Sequence, residues 1–396
     1  MNILVINCGS SSIKYQIIDT DKEEMLCKGL VELAGDDSTF AYTKTGSEKM
    51  KSIVPFANHA EGVAYIIKTI TDPDIGVISD PSEIAGIGHR VVQGADKYAS
   101  SVLIDDDVKA ALEEFIPLAP LHNPPNLVGI EAAEKAMPGV PNVGVFDTAF
   151  HQTMEPEAFL YAVPYEYYEN DRVRKYGFHG TSHRFISLEA PKYLGKKPED
   201  LKIICCHIGN GGSLSAIKYG KCIDTSMGLT PLEGIMMGTR AGDIDTTIVT
   251  YLMDQEDMTA EEVLNVLNKK SGLLGIFGES DMRAVDKAAE EGDEMAEIAL
   301  KMYARRIRGY IGNYFVQLAG ADAIVFTAGV GENDAEMRER ICEGLESIGI
   351  ILDKEKNKNR DEVIVSADDS PVKILVIPTN EELMIARDTA EIVSSL

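Results

Sequence analysis

The chain has 396 residues and a net charge of −26, from 64 acidic and 38 basic side chains. That length predicts two or three domains with sizeable cores, and the charge repels nucleic acid and anionic membrane, which excludes both as partners. Six cysteines, at 8, 27, 205, 206, 222 and 342, make no C-x-x-C or zinc spacing, so they read as core thiols of a reducing cytoplasm. No apolar stretch reaches membrane-spanning length, and the N-terminus lacks the basic region of a signal peptide.

The chain opens with ILVINCGSSSIKYQI. Residues 3–7 and 12–18 predict a hairpin. Its turn runs from Asn7 through Gly9, Ser10 and Ser12, with Lys14 just beyond. Small residues plus a lysine after a strand suggest a phosphate cradle, yet the G-x-x-x-x-G-K-[ST] spacing is absent and no helix follows. In GIGHRVVQG, Arg90 beside Val91 and Val92 suits a small carboxylate with a short alkyl tail, against the commoner reading of a strand-end arginine. DDDVKAALEEFIPLAP predicts a helix with an acidic cap, apolar positions at 108, 111, 112 and 115, and a stop at Pro117. Pro124 and Pro125 start another helix, which ends near Met137-Pro138-Gly139. Asp147 ends a strand, where ligand-facing residues collect in α/β folds; a turn or cap aspartate is the alternative.

In YGFHGTSHR, His179 and His183 are four apart, but the glutamate of H-E-x-x-H is missing and Gly180 argues for a loop, so zinc is rejected. His179 is a candidate donor to a phosphoryl oxygen, and His183 reads as structural. IICCHIGNGGSLSAI (203–217) repeats the pattern of the opening hairpin, with His207 in place of Asn7 and one extra residue in the later copy before the serine. The glycines at 209, 211 and 212 let backbone N–H groups approach phosphate. Two related halves, each with such a turn, suggest a grip on a phosphate chain from both sides. In GTRAGDID, Arg240 is either salt-bridged to Asp243 or Asp245 or neutralises a transferring phosphoryl group. A long amphipathic helix covers 297–318, and the strand AIVFTAG follows. Gly329 and Gly331 then make a strand–glycine–helix arrangement before AEMRERICEGL. KILVIP is a further strand, and a last helix starts near Asn380 with Glu381 and Glu382 in its first turn. Those acids suit the helix dipole, and a carboxylate there is also a candidate magnesium ligand.

The ordered set ILVINCGSSSIK, HRVVQG, LHNPPN, VFDTAFH, YGFHGTSH, IICCHIGNGGSLSA, GTRAGDID, AGVGEN and PTNEEL resembles the acetokinase family of the sugar-kinase/Hsp70/actin superfamily, end to end. The resemblance implies an α/β protein with the two-domain actin-like ATPase (ribonuclease H-like) fold and a duplicated βββαβαβα core. It places an N-terminal domain at 1–149 plus 382–396 and a nucleotide-binding domain at 150–381. It further implies a homodimer that transfers a phosphoryl group reversibly between ATP/ADP and acetate, with Mg²⁺ or Mn²⁺.

By the same resemblance Asn7 and Glu381 serve the metal, while Ser10, Ser12 and Lys14 lie by the phosphates. His207, Ile208, Gly209, Asn210 and Gly211 hold the phosphate chain. Asp281, Met282 and Arg283, with Gly329, Val330, Gly331, Glu332 and Asn333, line the adenosine side. Arg90, Asp147, His179 and Arg240 form the reaction centre, with Asp147 expected to orient Arg240 or a metal-bound water. Val92, Leu121, Phe178 and Pro231 surround the methyl group, and His122 lies nearby. The competing readings are a propionate or butyrate kinase, a pyrophosphate-using variant, and an actin- or Hsp70-like nucleotide-switched scaffold.

Overall fold

The computed structural model describes residues 1–396. It contains two compact units, Met1–Gln152 with Asn380–Leu396, and Thr153–Thr379. The chain therefore crosses at 152/153 and 379/380, two or three residues from the expected boundaries, and Glu381 falls in the first unit.

The first unit is built on eight strands: β1 Asn2–Cys8, β2 Ser12–Asp19, β3 Glu24–Glu32, β4 Thr39–Lys44, β5 Met50–Ile53, β6 Ile84–Val91, β7 Val102–Leu103 and β8 Asn142–Phe146. They lie in the order β5-β4-β3-β2-β1-β6-β8-β7. The first five form an antiparallel meander, and β6 and β8 continue the sheet parallel to β1. Alternation along β1 splits its side chains between two faces. Leu4, Ile6 and Cys8 join a core with Val63 and Ile66 of the His59–Ile70 helix and Ala132 and Ala133 of the Asn123–Ala136 helix. The opposite face receives the Glu381–Val393 helix on β1 and β6. Glycine makes that second contact fit. A Cβ on Gly88 would lie 2.5 Å from Thr389 Oγ1 and 2.6 Å from Ile385 Cγ2.

The second unit carries β9 Lys202–Ile208, β10 Gly212–Lys218, β11 Lys221–Thr225, β12 Ala323–Thr327 and β13 Lys373–Val376, in the order β11-β10-β9-β12-β13. Its first three strands are antiparallel and its last two run parallel to β9. This repeats the β3-β2-β1-β6-β8 arrangement of the first unit. Each sheet also receives a helix that follows the last strand of the other sheet in the chain. The Gly180–Leu194 helix follows β8 yet packs on β9, and Glu381–Val393 follows β13 yet packs on β1 and β6. All six cysteines are free and buried.

Four helices fall where the sequence places them: Asp106–Glu114, Asn123–Ala136, Glu294–Gln317 and Glu381–Val393. Pro117 does not stop the chain from winding. It sits in a 3₁₀ turn, Ile116–Leu118, where its missing N–H is not needed. Two stretches differ from expectation. Gly180 is the first residue of a 15-residue helix rather than part of a loop, so His183 is helical. AGVGEN is itself a short helix, Ala328–Asn333, rather than a turn before one.

Gly88→Ala is expected to destabilise the protein by about 1–3 kcal/mol, since a methyl group there must displace the last helix. Urea unfolding, read as a lower midpoint at unchanged slope, measures it.

Candidate functional site

In the first unit the opening turn is closed by Gly9 N–H donating to Ser12 O at 2.8 Å, and Asn126 Nδ2 donates to the Cys8 carbonyl at 2.9 Å. Asn7 and Lys14 are cross-strand partners. Both line a cavity of about 260 Å³ together with Arg90, Glu381 and Glu382, and with Lys28 and Lys49, which sequence reasoning missed. Ser10 is exposed at the tip of the turn and Ser12 begins β2; neither lines the cavity.

Arg90 lies within β6, one residue from its end, and pairs in register with Val145. Asp147, two residues on, therefore emerges on the same face. Its two oxygens accept from Arg90 Nε at 3.0 Å and Nη2 at 2.6 Å. Asp147 is 1% exposed, and its charge holds the guanidinium above its ordinary pKa. Both carboxylate oxygens of Asp147 thus go to Arg90, a pairing the sequence did not bring out.

Glu381 opens the last helix, which Asn380 caps by accepting from Leu383 N–H at 3.0 Å. Its Oε1 is buried without a hydrogen-bond partner. Burial pushes its pKa up to about 7 against the pull of Arg90, with Asp147 and Glu382 raising it further. A partnerless buried carboxylate oxygen beside the amide of Asn7 supplies hard oxygen donors, the set that a magnesium ion takes. Asn7 and Glu381 thus fit such a metal.

In the second unit the equivalent hairpin is closed by Gly209 N–H donating to Gly211 O at 3.0 Å. The register corrects the sequence alignment of the two turns. Asn7 faces Lys14 and His207 faces Ser213, so the extra residue is in the first copy. His207 Nδ1 lies 2.7 Å from Ser182 Oγ, which also meets Thr379 Oγ1 at 2.8 Å. The His179 ring stacks on His207, with centroids 4.1 Å apart. His179 precedes the helical Gly180 and holds φ at +55°, a left-handed conformation costing a residue with a Cβ about 1–2 kcal/mol. Its Nδ1 lies 2.9 Å from Ser213 Oγ, and His183 Nε2 lies 2.8 Å from the same oxygen.

Arg240 makes neither expected ion pair. Asp243 instead accepts from Gly234 N–H at 2.8 Å and from Tyr310 OH at 2.6 Å. Asp245 accepts from Thr247 N–H at 2.8 Å. Arg240 Nη1 donates to Pro231 O at 3.2 Å and touches Met237 Sδ. A Cβ on Gly211 would stand 3.3 Å from that Nη1, so the guanidinium lies against the glycine turn. Burial alone lowers its pKa. It is a cation held by neutral groups.

A cavity of about 820 Å³ collects Gly209, Asn210, Asp281, Met282, Arg283, Gly329, Val330 and Asn333, as the sequence grouped them. Ile208 is core and points elsewhere. Gly331 is buried. Glu332 is spent on structure, its Oε1 accepting from Ala328 N–H at 2.8 Å and Thr379 N–H at 3.1 Å. Asp286, Tyr303, Asp334 and Arg360 also line this cavity. Only Asp334 carried a signal, as the cap before AEMRERIC. Of the apolar set, Val92 and Phe178 are buried, Leu121 is 69% exposed, and Pro231 carries the Arg240 contact. His122 lends its carbonyl to Asn126 N–H.

Two units of one topology, each closing its first hairpin with a turn of small residues, define the two-domain actin-like ATPase class. The Acetokinase family model matches residues 2–387, and the chain belongs to the acetokinase family. It is 55% identical to the acetate kinase of Pseudothermotoga lettingae over 100% of this chain and 98% of that one. It is 54% identical to that of Thermotoga maritima over the whole of both. Among solved structures, Porphyromonas gingivalis acetate kinase superposes with a TM-score of 0.95 at 45% identity over 99% of each chain. A propionate kinase from Francisella tularensis does so with 0.93 at 40%, over 98% of this chain and 99% of its own.

Asp286 gives a pH test of the larger cavity. Burial and neighbouring Asp334 push its pKa up to about 7. The folded chain therefore binds this proton where the unfolded chain has released it, so the stabilisation is lost as pH rises from the ordinary aspartate range to 7. Asp286→Asn should flatten that part of the stability profile in denaturant titrations at pH 5, 6, 7 and 8.

Proposed function

We propose that this chain catalyses reversible, in-line phosphoryl transfer between ATP and acetate, giving ADP and acetyl phosphate. The observation that carries the reading is Arg240, a half-buried guanidinium without an acidic partner, resting against the glycine turn 209–212. Such a group is electrostatically incomplete until an anion arrives. The choice of acetate rests on full-length relatives of that name at about 55% identity.

Acetate is already ionised at neutral pH, so its attack needs no general base. The difficulty is bringing one anion to another. Arg240 and His179 supply charge and hydrogen bonding to the phosphoryl group, and Arg90 binds the acid. Asp147, with both oxygens on Arg90, fixes that guanidinium instead of moving protons. Lys14 and the turn 207–211 hold phosphates, and the 820 Å³ cavity takes the nucleoside. Asn7 and Glu381 would hold Mg²⁺, which when bound would lower the charge of the nucleotide's phosphates. Positioning and electrostatics are what phosphoryl transfer demands. Val92, buried two residues from Arg90, meets the methyl group. The family resemblance supports a homodimer, and the free, buried cysteines support a cytoplasmic setting.

The 40%-identical propionate kinase favours a second reading, because one fold serves an acid one methylene longer. A methylene in an apolar pocket is worth only about 1–3 kcal/mol. Hydroxylamine trapping of acyl phosphate with MgATP and formate, acetate, propionate or butyrate separates the two. Acetate is expected to give the highest kcat/KM, and a preference for propionate overturns that choice. Arg240→Ala should lower kcat on the order of 10²-fold or more while the circular dichroism spectrum is kept. Near-native turnover would remove Arg240 from the reaction.

A further inference from the structure

We propose that Asn126 is a positioning residue: its side-chain amide is wedged between the ends of β1 and β6 and sets the distance between the opening turn and the acid-binding segment Arg90–Val92. The inference rests on the roles proposed for Asn7 and Arg90. It arises from LHNPPN, whose two asparagines take no part in the chemistry above. Both are buried, Asn123 fully and Asn126 at 4% exposure. Asn123 Oδ1 accepts from Gln93 N–H at 3.3 Å, and its Nδ2 donates to Gln93 O at 3.1 Å. Asn126 Oδ1 accepts from Val92 N–H at 3.1 Å, and its Nδ2 donates to Cys8 O at 2.9 Å. One helix turn thus holds both residues that follow β6, and one of its amides reaches β1 as well.

The strand register shows what that amide replaces. β1 and β6 pair in parallel as far as Ile6 and His89. Two residues further, Cys8 would stand level with Val91, and the rung due there in a parallel ladder joins Val92 N–H to Cys8 O. Those are the two groups that Asn126 takes. The ladder is thus interrupted by an inserted side chain, and the strand ends part by the width of an amide. Asn7 and Arg90 stand one residue past the last pair, between it and the wedge, and both line the 260 Å³ cavity. The depth of insertion is fixed too. Gly129 lies three residues after Asn126 on the same helix face, and a Cβ there would stand 2.6 Å from Cys8 Cβ. The helix therefore rests directly on β1. An amide carries an acceptor and a donor side by side, the two functions this gap needs.

Without the amide, Val92 N–H and Cys8 O are left buried and unpaired, which draws the strand ends together to make the missing rung. Arg90 and Val92 then shift toward the opening turn and narrow the room for the acid's alkyl tail. Asn126→Ala should lower kcat for acetyl phosphate formation on the order of 10²-fold, with the KM for MgATP kept. It should also lower the propionate-to-acetate ratio of kcat/KM by about fivefold or more. A loss of packing alone scales both acids down together and leaves that ratio unchanged. Asn126→Asp keeps the bulk and the bond from Val92 N–H, so it should keep the wild-type ratio. Circular dichroism and urea midpoints confirm that each variant is folded under assay conditions. Asn126→Ser, too short to reach both partners, carries the same test if Asn126→Ala does not fold. An unchanged acid ratio or a near-native kcat in the shortened variant overturns the inference, as does an Asn126→Asp ratio that shifts equally far. Failure of the wild-type protein to form acyl phosphate from either acid marks instead the failure of the functional reading, and the inference falls with it.

Discussion

A guanidinium is hard to leave unpaired in a chain carrying 26 surplus negative charges. Carboxylates are abundant, and most buried arginines would find one. Arg240 is kept from them by its surroundings. Asp243, three residues along, is occupied by Gly234 N–H and Tyr310, and Asp245 by Thr247 N–H. What remains for Arg240 is a carbonyl, a thioether and the glycine turn. Neutral acceptors hold the side chain in place without satisfying its charge. The rest of the proposed chemistry assumes that this one cation is aimed and uncompensated. Arg90 is managed in the opposite way. Its positive charge is matched by Asp147 through two oxygens, which fixes its direction while the strand end leaves the group partly exposed.

The duplicated topology explains why chemically different residues stand in matching places. The register puts Lys14 opposite Asn7 in one sheet and Ser213 opposite His207 in the other. One hairpin offers an ammonium and an amide to its cavity. The other offers an imidazole, braced by hydroxyls.

The helices and strands were largely readable because their signals are local: periodicity in the 294–317 helix, proline at the start of 123–136, and an acidic cap before 106–114. The larger cavity was readable in its short motifs but not in Asp286, Tyr303 or Arg360, which arrive from separate helices and a loop with no spacing to announce them. The pairing of Asp147 with Arg90 has no local signal, because the two lie 57 residues apart, and only the β6–β8 register reveals that they share a face. The turns were aligned by matching serines. Small polar residues are interchangeable in turns, and strand pairing is what sets equivalence. Gly180 reads as a loop residue because glycine weakens helix interiors, whereas at the first helical position it costs little.

The last helix has a consequence for biosynthesis. Gly86 and Gly88 leave β6 without side chains where Glu381–Val393 comes to rest. On the ribosome, every residue of Thr153–Thr379 is made before that helix exists. Until then the nascent sheet presents Ile3, Val5 and two bare glycines to water. Maturation of this sheet thus waits on a helix made after Thr153–Thr379, which makes translational arrest before it a source of aggregation-prone fragments rather than of half-working protein.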